Sequence, residues 1–226
     1  MKSEVVIVIP AYNPDNNLIK IVEDLKKNMF YNIIVVNDGS TTSQIFKEIK
    51  DVIILNHTIN RGKGEALKTA FNYIRNSNEQ IIGVITVDAD GQHCIDDINK
   101  VYKEFEENQD SVILGSREFC DKEIPWKSKV GNKIINILFS KNTGRKLKDT
   151  QTGLRAIPYK YLPEIADVRG SRYEYETNVL MYCIEKNIKI REINILSIYI
   201  NNNKKSSFRA ISDSIKIAKS LYEKQY

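Results

Sequence analysis

Hydrophobic and polar positions alternate in blocks along the first half of this chain. Five short apolar runs, Val5–Ile9, Ile33–Val36, Val52–Leu55, Ile81–Val87 and Ser111–Leu114, have the length and unbroken apolarity of strands buried on both faces of a parallel sheet. Between them the period changes. Leu18, Ile21, Val22 and Leu25 share one helical face, as do Leu67, Ala70, Phe71 and Ile74, and then Ile98, Val101, Tyr102 and Phe105, each the stripe of an amphipathic helix. Such βα units predict an α/β fold, a doubly wound sheet flanked by helices. Ligands of these sheets bind beyond the carboxyl ends of the strands. Four polar segments fall there, Pro10-Ala11-Tyr12-Asn13, Asn37-Asp38-Gly39-Ser40, Asp88 to His93, and Gly115-Ser116-Arg117, and the pattern predicts that they share one cleft.

Beyond Arg117 the alternation loosens. Pro125 is placed to open a helix that buries Val130, Ile134, Ile137 and Leu138, with Gly144 as its stop signal. Asp149 to Arg155 leads into a further strand, followed by a helix over Tyr175 to Lys186 and a β region over Ile188 to Ile200. The polar run Asn201 to Ser207 predicts a loop, and Phe208, Ile211, Ile215, Ala218 and Leu221 or Tyr222 predict the apolar stripe of a last helix. No repeat or long linker breaks the chain, so 1–226 reads as one domain.

Composition excludes several classes. No apolar run approaches the ~20 residues that span a bilayer, and the first strand is too short for a signal-peptide core, so a cytoplasmic protein is expected. Cys94, Cys120 and Cys183 are odd in number and widely spaced, which fits reduced structural thiols better than disulfides or zinc. The formal charge of +5 permits anionic ligands without demanding nucleic acid.

The candidate chemistry centres on Asp88-Ala89-Asp90. In an extended backbone alternate side chains point the same way, so Asp88 and Asp90, with Gln92 next in phase, can converge on one hard cation through oxygen ligands. The competing reading of the tripeptide alone is a solvated turn. A dinucleotide oxidoreductase would carry G-x-G-x-x-G after the first strand, where Pro10 to Asp15 stands instead. A P-loop is excluded too, because Gly62-Lys63-Gly64 lacks the spaced upstream Gly and the following Ser or Thr.

Val-Ile-Pro-Ala-Tyr-Asn at 8–13, Val-Asn-Asp-Gly-Ser at 36–40, Asn-Arg-Gly-Lys-Gly at 60–64 and Val-Asp-Ala-Asp-Gly-Gln-His at 87–93 resemble the family 2 glycosyltransferases of GT-A fold, a Rossmann-like nucleotide-diphospho-sugar transferase architecture. Gly115-Ser116-Arg117, Asp149 to Arg155 and Arg172-Tyr173-Glu174-Tyr175-Glu176 narrow the resemblance to dolichyl- and polyprenyl-phosphate sugar synthases and bacterial surface-glycan transferases. It covers nearly the whole chain and implies a nucleotide-sugar half over 1–117 and an acceptor half over 118–226.

The resemblance implies roles. Pro10, Ala11, Tyr12 and Asn13 line the base and ribose pocket, Asp38 bonds the base, Lys63 approaches the donor phosphates, and Asp88, Asp90 and Gln92 hold Mg²⁺ or Mn²⁺, with Asp88 also close to the ribose. His93 is implied as a support behind them rather than a ligand. It also implies inversion in a single displacement, with a nucleoside-diphosphate sugar as donor and a polyprenyl phosphate or growing glycan as acceptor. A hydroxyl acceptor needs a general base, for which Glu174 and Glu176 are candidates, whereas a phosphate acceptor is already anionic. Arg117, with Lys127, Lys129 or Lys133, is the candidate grip on an acceptor phosphate. Lys205-Ser206-Ser207-Phe208-Arg209 resembles the family's donor-closing segment through Ser206 and Arg209, although Ser207 stands where Lys or His is frequent. The family's synthases often continue into membrane helices, so this chain is expected to meet a lipid acceptor peripherally, on the inner face of the membrane. Two other readings are a sugar nucleotidyltransferase, whose Gly-rich basic loop is missing after the first strand, and a non-catalytic nucleotide-sugar-binding protein.

Overall fold

The computed structural model describes residues 4–77, 80–117, 126–196, 217 and 219–221, with the side chains of 126–131 excepted. The first half follows the apolar pattern closely. Strands β1 (Val5–Ala11), β2 (Ile33–Asp38), β3 (Ile53–His57), β4 (Gly83–Thr86) and β5 (Ser111–Arg117) alternate with helices α1 (Asn17–Lys27), α2 (Gln44–Glu48), α3 (Lys63–Arg75) and α4 (Ile95–Glu107). The second half contributes α5 (Trp126–Thr143), β6 (Arg155–Pro158), α6 (Leu162–Asp167), α7 (Glu174–Glu185) and β7 (Lys189–Ile195).

The described strands form one sheet in the order β3-β2-β1-β4-β6-β5-β7. All neighbours pair in parallel except β6, which runs antiparallel between β4 and β5. Alternate residues of β1 feed opposite faces, as a period of two requires. Val6 and Val8 pack with Leu67, Phe71 and Ile74 of α3 in one core layer, whereas Val5, Ile7 and Ile9 pack with Leu18, Val22 and Leu25 of α1 in the other. The faces expected of α1, α3 and α4 are the buried ones.

Three expectations change. β3 is an edge strand with Ile53 40% exposed, so it is not covered on both faces. Helix α5 turns Ile135 and Phe139 inward and leaves Ile134 and Ile137 half exposed. Five apolar residues between 134 and 139 populate more than one helical face, and packing rather than period chooses between them. In the last helix Ile217 and Leu221 are buried; Leu221 belongs to the expected stripe and Ile217 does not. Phe208, Ile211, Ile215, Ala218 and Tyr222 lie outside the described residues, as do Ser206, Ser207 and Arg209, and so do the side chains of Lys127 and Lys129. Gly144 ends α5 as expected, in the left-handed region at φ +71° with its N–H on Ser140 O. Among the described residues no helix is long and apolar enough to cross a membrane.

Strand order reverses direction at β1, which opens a crevice between the carboxyl ends of β1 and β4. Because β6 is antiparallel, the residues that lead into it, Asp149 to Leu154, reach the same edge as the ends of β4 and β5.

Candidate active site

Chain direction changes at the end of β4. Asp88 follows the strand, Ala89 and Asp90 form a turn, and Gly91 takes φ +83°. The two carboxylates are therefore presented by a turn and not by the extended backbone the sequence suggested. Asp90 Oδ1 accepts from Gln92 N at 3.0 Å, and Asp90 O accepts from Asn17 Nδ2 at 3.2 Å, which ties the turn to the start of α1. Gly153 lies against Asp88, where an added Cβ would sit 2.3 Å from Oδ2. A residue with any side chain at 153 would push the carboxylate aside.

Lys63 connects this turn to α7. Its Nζ lies 2.7 Å from Asp88 Oδ1 and 2.8 Å from Glu176 Oε2. The flanking glycines make that approach feasible. Gly62 has φ +104°, and a Cβ there would meet Ser171 O at 2.4 Å; a Cβ on Gly64 would meet Tyr175 Cβ at 2.6 Å. Without side chains at 62 and 64 the first turn of α3 sits directly on the start of α7, and Lys63 is drawn between two carboxylates.

The electrostatics follow. Burial works against charge on Lys63, but Asp88 and Glu176 outweigh it and push its pKa up. Burial also works to raise the Asp88 carboxyl, yet the Lys63 ammonium, with His93 behind it, holds it well below the usual carboxylate range. Asp90 shifts the other way, raised by partial burial and by the negative charge of Asp88. His93 is buried with Nε2 3.4 Å from Asp88 Oδ2, and neither ring nitrogen makes a hydrogen bond among the described residues.

The glutamates named by the sequence occupy different environments. Glu174 Oε1 accepts from Ser171 N at 3.0 Å and Arg172 N at 3.2 Å, so it closes the entry to α7. Glu176 is 5% exposed and faces Lys63, and its Oε1 is buried with no hydrogen-bond partner among the described residues.

Asp38 is 3% exposed and already holds four donors. His57 Nδ1 (2.7 Å) and Arg61 N (2.8 Å) meet Oδ1; Asn60 Nδ2 (3.0 Å) and Gly62 N (2.8 Å) meet Oδ2. His57 Nε2 continues to Thr69 Oγ1 at 2.9 Å. Asp38 thus anchors the loop that delivers Lys63, a role the sequence did not suggest. Asn13, at φ +46°, ties the first loop to the second, accepting from Thr41 N and Oγ1 at 2.8 and 3.0 Å and donating its N–H to Ser40 Oγ at 2.9 Å. Ala11 is buried, Pro10 partly so, and Tyr12 is 39% exposed along the cleft rim.

Arg117 forks onto the fully buried Asp149, with Nε–Oδ2 2.5 Å and Nη2–Oδ1 3.0 Å. Arg155 was missed by sequence reasoning. It is 2% exposed and donates to Thr152 O, Glu176 O and Thr150 O at 2.9, 2.5 and 3.1 Å, fastening the Asp149–Leu154 segment to α7. The one signal that could have found it is its place at the end of the Thr-Gly-Leu-Arg string.

The comparisons with known proteins fit this geometry. Residues 6–165 match the profile of Glycosyl transferase family 2. The chain belongs to that family. The uncharacterized protein MJ1222 of Methanocaldococcus jannaschii is 34% identical over 204 residues, 88% of this chain and 83% of its own length. A UDP-N-acetylglucosamine–dolichyl-phosphate N-acetylglucosaminyltransferase of Methanococcus voltae is 31% identical over 215 residues, covering 85% of each chain. Among solved structures, glucosyl-3-phosphoglycerate synthase from Mycobacterium tuberculosis in complex with Mn²⁺, UDP-glucose and phosphoglyceric acid superposes with a TM-score of 0.71 at 13% identity, over 97% of this chain and 77% of that one. The architecture of this glycosyltransferase is the GT-A fold expected from its motifs.

Proposed function

We propose that this glycosyltransferase is inverting and metal-dependent, and that it moves a sugar from a nucleoside-diphosphate sugar to a lipid monophosphate of the polyprenyl class. The observation that carries the reading is the Asp88–Lys63–Glu176 constellation beside Asp90 at the switch-point crevice. Asp88 raises the cost of ionising Asp90, which is exposed to the cleft, and such a pair fits a divalent cation. Asp88 and Asp90, with Gln92, would hold Mg²⁺ or Mn²⁺, and when bound the ion supplies charge stabilisation to the departing nucleoside diphosphate.

The remaining roles belong to the chain itself. Pro10, Ala11, Tyr12 and Asn13 wall the base and ribose; Asp38, through residues 60–62, sets the height of Lys63, whose ammonium turns to the donor phosphates. Arg117, with Lys127, Lys129 or Lys133, is assigned the grip on the acceptor phosphate, and Ser206 and Arg209 are assigned to the donor phosphates on the resemblance alone. An anionic phosphate oxygen attacks the anomeric carbon from the side opposite the diphosphate without surrendering a proton, so no general base is needed. The occupied environments of Glu174 and Glu176 favour this over a hydroxyl acceptor, as does the dolichyl phosphate in the name of the M. voltae relative. The contact with a lipid acceptor is peripheral, on the cytoplasmic face of a membrane.

The test is nucleoside-diphosphate release with a panel of nucleotide sugars, with Mn²⁺, Mg²⁺ or EDTA, and with farnesyl phosphate or a glycan as acceptor. Release stimulated by the glycan and not by farnesyl phosphate would refute the acceptor; undiminished turnover in EDTA would refute the metal.

A further inference from the structure

Outside the cleft, α5 and the segment after it border a groove of about 570 Å³, within the range of ligand-sized sites. Its floor and rim differ in character. Ile137 and Leu147 supply apolar surface, while Lys133, Lys141, Lys146 and Lys148 stand around it with no carboxylate in the lining. None of the four lysines has a carboxylate partner among the described residues, and Lys148 Nζ donates instead to Asn194 Oδ1 at 3.0 Å. Lysine stems add methylene surface to the walls and keep their charges at the mouth. Among the described residues, an apolar trough ringed by lysines without carboxylate partners is complementary to a molecule with a hydrocarbon tail and an anionic head. A sugar nucleotide has no tail to fill it, and inorganic phosphate has nothing for the floor.

The groove adjoins the segment that holds Arg117. Asn136, also in its lining, donates from Nδ2 to Lys148 O at 2.7 Å and accepts at Oδ1 from Thr150 N and Oγ1 at 3.2 and 2.6 Å. Between those residues stands Asp149, the partner of Arg117. One edge of the groove and the seat of Arg117 are thus built from the same three-residue stretch, 148–150.

We propose that this groove seats the hydrocarbon tail of a lipid monophosphate, with its phosphate directed to the Lys148 and Arg117 end. The proposal rests on the acceptor class argued above and adds where the tail lies. Calorimetric titrations with farnesyl phosphate, isopentenyl phosphate and inorganic phosphate test it on the wild-type chain, on Ile137→Asp and on a Lys141→Glu, Lys146→Glu double variant. A buried methylene is worth roughly fourfold in affinity, so farnesyl phosphate is expected to bind at least about tenfold more tightly than isopentenyl phosphate. Ile137→Asp removes that preference and leaves nucleoside-diphosphate affinity unchanged, which also certifies its fold; the double variant weakens farnesyl phosphate severalfold. Equal farnesyl phosphate affinity in Ile137→Asp and wild type overturns the groove, as does retention on phosphatidylserine vesicles without affinity for monomeric farnesyl phosphate. Tail-dependent binding without any sugar transfer to lipid phosphates would refute the acceptor assignment and leave the groove standing. Transfer to farnesyl phosphate with Ile137→Asp indistinguishable from wild type would do the reverse.

Discussion

Glu176 Oε2 lies 2.8 Å from Lys63 Nζ, and the pair is almost closed to solvent. Glu176 therefore works on the lysine. Glu176→Gln is expected to weaken the donor complex, raising KM for the nucleotide sugar severalfold to tenfold, because Lys63 loses one of the two charges that aim it. With farnesyl phosphate as acceptor, kcat should fall less than tenfold, well short of the ~10²–10⁴-fold cost of losing a general base. Glu174→Ala is expected to leave the kinetics intact and to cost about 1 kcal/mol of stability, the usual scale of a lost helix-entry contact. Steady-state kinetics and urea melts on the two variants separate these outcomes.

Arg117 carries a structural duty alongside its proposed contact with the acceptor. Removing its guanidinium leaves Asp149, with no exposed surface, holding a buried charge whose remaining contacts are Gln151 N and the backbone N–H of Arg117. Arg117→Ala is expected to cost about 3 kcal/mol or more, read as a lower urea midpoint. Arg117→Lys should recover part of that, without the two-pronged geometry. A fully stable Arg117→Ala protein would show that Asp149 is not held by this pair.

The parts of the molecule that were legible in the sequence are those where one period dominates. β1 and β2 show as unbroken apolar runs, and α1, α3 and α4 show their faces because every third or fourth residue is apolar among polar neighbours. β6 was not legible as antiparallel, since four residues after a Gly-Leu pair carry no sign of direction, and α2 and α6 are too short to establish a helical period. In the site, the spacing of Asp88 and Asp90 at the end of an apolar run suggested a cation, but not that a turn would present them. The bridge from Asp88 through Lys63 to Glu176 joins segments far apart in the chain and depends on what Gly62 and Gly64 leave out. Asp38 was legible as important but not in its local role. Its four donors come from residues 57–62, a loop whose folding no local pattern declares.

That loop gives a prediction for Asp38→Ala. Four donors lose their acceptor at a site only 3% exposed, and each buried group left unpaired costs about 1–3 kcal/mol. The variant is expected to lose several kcal/mol of stability and to bind nucleoside diphosphate more weakly, because the segment that carries Lys63 is released. At saturating donor, kcat should change less than the affinity does. Thermal denaturation followed by calorimetry checks both, and unchanged stability would mean that the loop holds itself without Asp38.

The two acidic residues of the turn should respond oppositely to loss of charge. Asp88 has its carboxyl depressed by Lys63, so its ionised form stabilises the native state at pH values above the unfolded value of 3.8, and that contribution is lost as pH falls through the lower folded value. Asp90 has its carboxyl raised by burial and by Asp88, so its ionised form costs stability at neutral pH, and the cost is relieved as pH falls through the raised value. In the metal-free protein at pH 7, Asp88→Asn is expected to lower Tm by several degrees and Asp90→Asn to raise it slightly, with the Asp90→Asn difference shrinking as pH is lowered toward 4. Turnover gives no such split. Asp90→Asn should lose at least ~10²-fold in rate, the scale of removing one strong electrostatic contact from a reacting centre, and Mn²⁺ should raise the Tm of the wild type but not of Asp90→Asn. Differential scanning fluorimetry with and without Mn²⁺ decides it: an Asp90→Asn protein less stable than the wild type without metal would refute the charge repulsion from Asp88, and one still stabilised by Mn²⁺ would refute Asp90 as a ligand.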